Sequence, residues 1–272
     1  MLTKKMARLE SSLRELPGAL VAFSGGADSA FLAEMSHRAL GVRSIALTAD
    51  SPSLPRRELR AAGELARARG WRWEVVETAE LHDERYASNP VDRCYFCKSA
   101  LFERIAPRSA ELGWPALLGT NTDDLGDYRP GQKAASERSA LHPLVDTGWS
   151  KLEIREASGI LGLPTSDKPA SACLASRFAY GVRVTAEGLG RVEAAEEELL
   201  ARGFPVVRVR DLGDDRARIE VSSDRVGDLK RDFASITAQL ISIGFREVIV
   251  DGRGYRQGAL NEGVAVEITK GR

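Results

Sequence analysis

Two sets of residues in this chain could do chemistry. The first is Ser24-Gly25-Gly26-Ala27-Asp28-Ser29. Adjacent glycines let the backbone take unusual dihedrals and approach a ligand without Cβ interference. The amides of such a turn can point at an anion, helped by the N-terminus of a following helix. Ser24 and Ser29 add hydroxyl donors that suit a pyrophosphate. Asp28 belongs beside a phosphate only if it caps the helix or shares a Mg2+ ion. The plainer alternative is a Gly-Gly turn with Asp28 or Ser29 as N-cap. No Gly-Lys-Ser/Thr follows and the third glycine of a dinucleotide fingerprint is missing, so neither of those phosphate loops is present.

The second set is the three cysteines, Cys94, Cys97 and Cys173. A Cys-x-x-Cys pair alone serves a redox disulfide, half a zinc site, or neither. A structural zinc site wants four thiolate or imidazole ligands, and His37, His82 and His142 have no metal-binding spacing. Three thiolates are enough for a [4Fe-4S] cluster with one iron open to a ligand such as sulfide. Cys173 alone also reads as a small buried hydrophobe, although Lys168 and Arg177 nearby in sequence would favour its thiolate. Asp123, Asp124, Asp127 and Arg129 read either as solvated charges or as carboxylates for Mg2+ with an arginine for an oxyanion.

These groups need a scaffold, and the sequence describes one. Ala19–Phe23 is a short apolar run of the kind buried on both faces of a parallel sheet, with a helix expected from about Ser29. Further strands are expected at 43–48, 71–77 and 116–119, with a helix opened by Pro55 and closed by Gly70. An irregular segment around 89–98 is expected before a helix ending near Leu112. Strands alternating with helices imply an α/β fold with a doubly wound parallel sheet, whose ligands sit beyond the carboxyl ends of the strands. The Gly-Gly turn, Thr48-Ala49-Asp50 and Gly119-Thr120-Asn121 all fall at such ends. From Thr185 onward the pattern changes to a charged helix, two hairpin-like strands, a helix at about 229–243 and a strand at 247–251. That suggests a smaller α+β domain, giving domains 1–180 and 181–272.

The 39 basic residues balance the 39 acidic ones in 272 residues, so no global positive field favours nucleic acid. No apolar run approaches the roughly 20 residues that cross a bilayer. The first 16 residues look amphipathic and lack the apolar centre of a signal peptide, which points to a cytoplasmic protein. Three cysteines in a reducing compartment argue for metal or thiol chemistry over a disulfide framework.

The turn at 24–29 resembles the Ser-Gly-Gly-x-Asp-Ser loop of the PP-loop ATP pyrophosphatases at every specified position. Together with Asp92-Arg93-Cys94-Tyr95-Phe96-Cys97-Lys98, Gly119-Thr120-Asn121-Thr122-Asp123-Asp124, Asp127-Tyr128-Arg129-Pro130-Gly131 and Pro169-Ala170-Ser171-Ala172-Cys173-Leu174-Ala175-Ser176-Arg177, it resembles the LarE family over most of the chain. The resemblance implies a PP-loop, adenine nucleotide alpha hydrolase-like domain. It further implies an ATP-dependent sulfur transferase in the biosynthesis of the nickel-pincer nucleotide cofactor of lactate racemase. In the family a carboxylate of pyridinium-3,5-biscarboxylic acid mononucleotide is adenylylated with release of pyrophosphate, and sulfur then displaces AMP. By resemblance the sulfur comes either from Cys173 itself, left as dehydroalanine, or from sulfide on a [4Fe-4S] cluster held by Cys94, Cys97 and Cys173. The presence of all three cysteines favours the cluster. A sulfide or other sulfur donor and a homo-oligomer, a hexamer in the family, are further implications.

Carried onto this chain, Ser24, Gly25, Gly26, Asp28 and Ser29 take the ATP phosphates and Mg2+, with Asp124 alongside. Thr48 and Gly119 contact adenosine, and Arg177 stabilises the phosphoryl charge or the substrate carboxylate. Arg208 and Arg210 alternate on one strand and so share a face; they either grip the substrate phosphate or form a solvated surface. The rival readings are a PP-loop tRNA thiolase, an ammonia-using ligase similar to NAD or GMP synthetase, and a non-catalytic nucleotide-binding regulator.

Overall fold

The computed structural model describes residues 2–126, 140–169 and 172–256. The chain forms two compact units, one from Met1–Glu80 and Asp92–Ser171, the other from Leu81–Val91 and Ala172–Arg272. The division falls before Cys173 and not at Tyr180-Gly181. The short segment 81–91 also belongs to the second unit, because its backbone is tied there. Val184 donates to the Ala87 carbonyl at 2.8 Å and Gly181 to the Asn89 carbonyl at 3.2 Å, while the buried Asn89 amide donates to the Ala179 carbonyl at 2.7 Å. A sequence reading cannot see a detour of this kind, since the segment has no periodicity of its own.

The first unit holds strands β1 (Ala19–Ala22), β2 (Ser44–Asp50), β3 (Arg72–Glu77) and β4 (Ala116–Leu117) in a parallel sheet of order β3-β2-β1-β4. Side chains on β1 alternate between two cores. Ala19 and Val21, with Phe23 just past the strand, join one with residues of helices α1 (Leu2–Arg14), α2 (Ala27–Leu40) and α3 (Arg56–Arg69). Leu20 joins the other with Leu101, Phe102 and Ile105 of α5 (Arg93–Leu112), which follows the one-turn α4 (Glu84–Ala87) of the second unit. Helices therefore cover both faces, which is why the strands read as continuous apolar runs. The sheet runs from β1 through β2 to β3 in one direction and returns to β4 on the other side of β1. Between β1 and β4 lies the switch point at which open α/β sheets bind ligands.

Three local expectations shift. Helix α2 begins at Ala27 with Gly26 as its N-cap and no side-chain cap, so neither Asp28 nor Ser29 is the cap. The Cys94–Cys97 stretch is helical, forming the start of α5. Cysteine and aromatics are only middling helix formers, and the packing of the turns that follow overrides them. The helix expected at 229–243 is two, α9 (Val226–Arg231) and α10 (Phe233–Ile243), because Asp232 both closes the first and opens the second.

Helices α6 (Pro143–Asp146) and α7 (Lys151–Ile160) complete the first unit's described residues, α7 opening with a capping box between Ser150 and Glu153. In the second unit α8 (Ala186–Ala201), N-capped by Thr185, packs on a sheet of order β5-β6-β7. Strands β5 (Val207–Asp211) and β6 (Arg216–Val221) are antiparallel, and β7 (Glu247–Val250) runs parallel to β6. Among the described residues no helix is long and apolar enough to cross a membrane.

Gly119, just beyond β4, lies directly against the first turn of α2. A Cβ there would come within 2.9 Å of the Ser29 nitrogen and 3.0 Å of the Asp28 carbonyl carbon, both backbone atoms that cannot swing aside. Gly119→Ala should therefore lower stability by about 1–3 kcal/mol, read as a lower urea midpoint with an unchanged slope.

Candidate functional site

In the first unit the switch point is occupied by the 24–29 turn and the loop after β4. Ser29 organises the turn. Its hydroxyl accepts from the Ser24 amide at 3.2 Å, lies 3.1 Å from the Ser24 hydroxyl and donates to the Gly26 carbonyl at 3.2 Å. Gly25 sits at φ +74°, a conformation that disfavours any side chain. With no side-chain cap on α2, the first-turn amides of that helix are left for a ligand.

Asp28 stands in that first turn with its Oδ1 buried and without a hydrogen-bond partner among the described residues. Burial pushes its carboxyl above the usual range, Asp124 adds to the rise, and Lys151 and Arg155 oppose it. The Asn121 amide is near enough to favour the ionised form, yet it is not aligned as a hydrogen bond, and its Nδ2 is also left unpartnered. The loop is otherwise tightly bonded. Asn121 donates its backbone N–H to Asp124 Oδ2 at 3.1 Å, its side-chain oxygen accepts from the Asp123 amide at 3.0 Å, and Asp123 Oδ2 accepts from the Lys151 amide at 2.8 Å. Two carboxylates and an amide thus gather beside a turn that can bind phosphate. This donor set fits Mg2+, which keeps one or two carboxylates and takes substrate phosphates for the rest.

Thr48 lies inside β2, not at its end. Its hydroxyl donates to the Phe23 carbonyl at 2.8 Å and accepts from the Trp73 indole at 2.9 Å, so its side chain is committed to the sheet. Lys168, considered in the sequence only for its effect on Cys173, donates to the Gly25 carbonyl at 2.9 Å and pairs with Glu58 at 2.6 Å. Asp127 and Arg129, together with Ala170 and Ser171, lie outside the described residues.

In the second unit Cys173 is half-buried and opens a short 3-10 turn, Leu174–Arg177. Arg177 is fully buried and forms a two-pronged pair with Glu196 at 2.8 and 3.0 Å. Its remaining arm donates to the Ala172 and Cys173 carbonyls at 2.7 and 3.0 Å. A guanidinium so enclosed cannot itself meet a phosphoryl group, and its direct catalytic assignment gives way to a positioning one: it holds the backbone that carries Cys173. Arg210 is likewise committed, pairing with Glu220 at 2.8 Å and donating to the Ser176 carbonyl at 2.9 Å.

Arg208 differs. It is half-buried and makes no ion pair among the described residues; its guanidinium donates only to the carbonyl of Val207 at 2.7 Å and lies 5.0 Å from the Tyr255 ring centroid. Burial above all, then repulsion from Arg177, lowers its pKa, with Glu196 opposing. Of the two arginines read from the β5 alternation, Arg208 is the one available to an anion.

Cys94 is exposed and Cys97 half-buried. They stand one turn apart at the start of α5, so their side chains share a face. Among the described residues neither unit by itself gathers three His, Cys, Asp or Glu side chains fit for a metal. Lys151, Arg155 and Glu196 had no sequence signal that marked them for these sites, and nothing in the sequence tied Lys168 to the phosphate turn 143 residues away.

No family model matches the chain. Among curated proteins it is 42% identical over 264 residues to an uncharacterized protein of Synechocystis sp., covering 96% of this chain and 98% of the relative. It is 36% identical over 263 residues to the pyridinium-3,5-bisthiocarboxylic acid mononucleotide synthase of Lactiplantibacillus plantarum, covering 96% and 95%. An uncharacterized protein of Methanocaldococcus jannaschii is 26% identical over 257 residues, 93% and 98% of the two chains. Nearly end-to-end similarity at that level to the synthase makes this chain a member of the LarE family.

Proposed function

We propose that this protein is an ATP-dependent, AMP-forming sulfur transferase that acts on pyridinium-3,5-biscarboxylic acid mononucleotide in the biosynthesis of the nickel-pincer nucleotide cofactor of lactate racemase. Its relative from Lactiplantibacillus plantarum is named for the bisthiocarboxylic product, which supports the substrate class. The observation that carries the nucleotide half is the uncapped Ser24–Ser29 turn at the switch point with the unpartnered Asp28 Oδ1 beside it. A substrate carboxylate oxygen attacks the α-phosphorus of ATP and pyrophosphate leaves, held by the turn amides; Asp28 and Asp124 are the residues that would hold Mg2+, which when bound would offset the charge on the phosphates. A sulfur nucleophile then adds to the acyl carbon, AMP departs, and a thiocarboxylate remains. Adenylylation is the step that converts a poor leaving oxygen into a good one. Arg208 holds the mononucleotide's phosphate, while Arg177 and Arg210 keep the Cys173 backbone in place. Gly119 and the backbone at Thr48 border the adenosine.

Three cysteines, two of them one helical turn apart, fit the ligand count of a [4Fe-4S] cluster with one open iron. When bound, such a cluster would present sulfide for transfer. Sacrifice of Cys173 is the competing source. Sulfide as donor, assembly into a homo-oligomer and a cytoplasmic setting belong to the same reading.

Three outcomes test it. Asp28→Asn should abolish Mg2+-dependent pyrophosphate release, by about a hundredfold or more, and yet stabilise the unliganded protein at pH 7. The sign follows from the raised carboxyl pKa. Below the ordinary value of 3.8 both folded and unfolded states are protonated and no penalty exists. As pH rises through that value and the raised folded one, the buried charge increasingly penalises the native state, so the variant's advantage in Tm should grow over that window. Arg208→Ala should raise KM for the mononucleotide by about tenfold or more and leave KM for ATP unchanged. Cys94→Ser or Cys97→Ser should remove the iron, the acid-labile sulfide and the visible absorption of anaerobically reconstituted protein. Full sulfur transfer by both variants, with a loss of about 34 Da per turnover as Cys173 becomes dehydroalanine, would instead identify the sacrificial route.

A further inference from the structure

The Lys168 side chain crosses 143 residues of sequence to reach the phosphate turn. It touches the turn at one atom, the Gly25 carbonyl, at 2.9 Å, and its ammonium is anchored on the other side by Glu58 at 2.6 Å. A Cβ built on Gly25 would lie 3.8 Å from Nζ, so the lysine packs against the glycine as well as bonding to it. The lysine's own backbone is fixed too. Arg155 donates to the carbonyls of Ser166 and Lys168, each at 2.7 Å.

A trans peptide is planar, with its C=O and N–H on opposite sides. Gripping the Gly25 carbonyl therefore sets the direction of the Gly26 N–H, which points away from Lys168 and has no partner among the described residues. A cation on the carbonyl also polarises the same peptide, and in a site of low dielectric that strengthens its N–H as a donor. Gly25 is the residue at positive φ, and without such a grip a glycine in this position has other conformations open to it at little cost.

We propose that Lys168 is a positioning residue for the phosphate turn: by holding the Gly25 carbonyl, with Glu58 as its anchor, it fixes and polarises the 25–26 peptide so that the Gly26 N–H is presented to the anion. This rests on the nucleotide reading above and adds to it a residue that acts through the backbone without itself contacting phosphate.

The test uses full-length protein labelled with 15N-glycine, with inorganic pyrophosphate and Mg-ATP as titrants. In the unliganded state Lys168→Met should move the Gly26 amide resonance upfield, as a weaker donor requires. It should also weaken pyrophosphate binding about tenfold, the worth of one charge-assisted hydrogen bond. Lys168→Arg, which keeps a charged donor, should restore both, a recovery that loss of packing alone would not give. Glu58→Gln should shift the same resonance in the same direction by less, and serves as the readout if Lys168→Met does not fold. An unmoved Gly26 resonance in a folded Lys168→Met variant overturns the proposal, and if affinity falls all the same, the lysine contacts the phosphate directly. Wild-type protein that binds neither titrant removes the nucleotide reading and this role together. Wild-type protein that binds while Lys168→Met matches it removes only this role.

Discussion

The described backbone on either side of Cys173, at 166–169 and 172–177, has few main-chain bonds of its own, so its carbonyls need donors from elsewhere. Arginines provide them. Within the first unit Arg155 takes the carbonyls of Ser166 and Lys168. Within the second, Arg177 takes those of Ala172 and Cys173, and Arg210 that of Ser176. A guanidinium suits this work because its fixed fork of donors can satisfy two acceptors and a counterion at once. The stretch that carries Cys173 is held in place by charge-assisted bonds to its main chain, not by a ladder of its own.

Such a device requires a counterion wherever the cation is buried. Arg177 has Glu196, whose Oε1 also accepts from the Val209 amide at 3.1 Å, so one carboxylate ties the cysteine segment to β5. Removing one member of a pair buried this deeply leaves an uncompensated charge, at a cost of about 3–5 kcal/mol. The second unit is therefore sensitive at two residues whose side chains are fully enclosed. Neither was legible as such in the sequence: Glu196 lies in the middle of a helix rich in glutamate, and only the fold distinguishes it from its exposed neighbours.

What the sequence did disclose was whatever depends on local rules. The apolar run of β1, the Pro55 and Gly70 boundaries of α3 and the Ser-Gly-Gly-x-Asp-Ser turn are all set by residues a few positions apart, and each stands where its chemistry indicates. The parallel sheet followed from the alternation of strands and helices. What escaped depends on contacts between distant positions: the attachment of 81–91 to the second unit, the enclosure of Arg177, and the grip of Lys168 on Gly25. Alternation on β5 put Arg208 and Arg210 on one face, but it could not tell that Glu220 pairs with Arg210 and not with Arg208.

That last difference separates two uses of a cation in this protein. Lys168, Arg177 and Arg210 each have a carboxylate and each hold a backbone carbonyl. Their charge is balanced, and what they contribute is geometry. Among the described residues Arg208 makes no ion pair and Asp28 keeps an oxygen without a partner. Burial disfavours the charge on each, a disadvantage that a group of opposite charge would relieve: an anion at the first, a cation at the second. Under the proposed function, the substrate's phosphate and the nucleotide's metal ion would supply those charges. The balanced cations keep the turn and the cysteine segment in shape, and the unbalanced groups are where, under the proposed function, ligands would complete the structure.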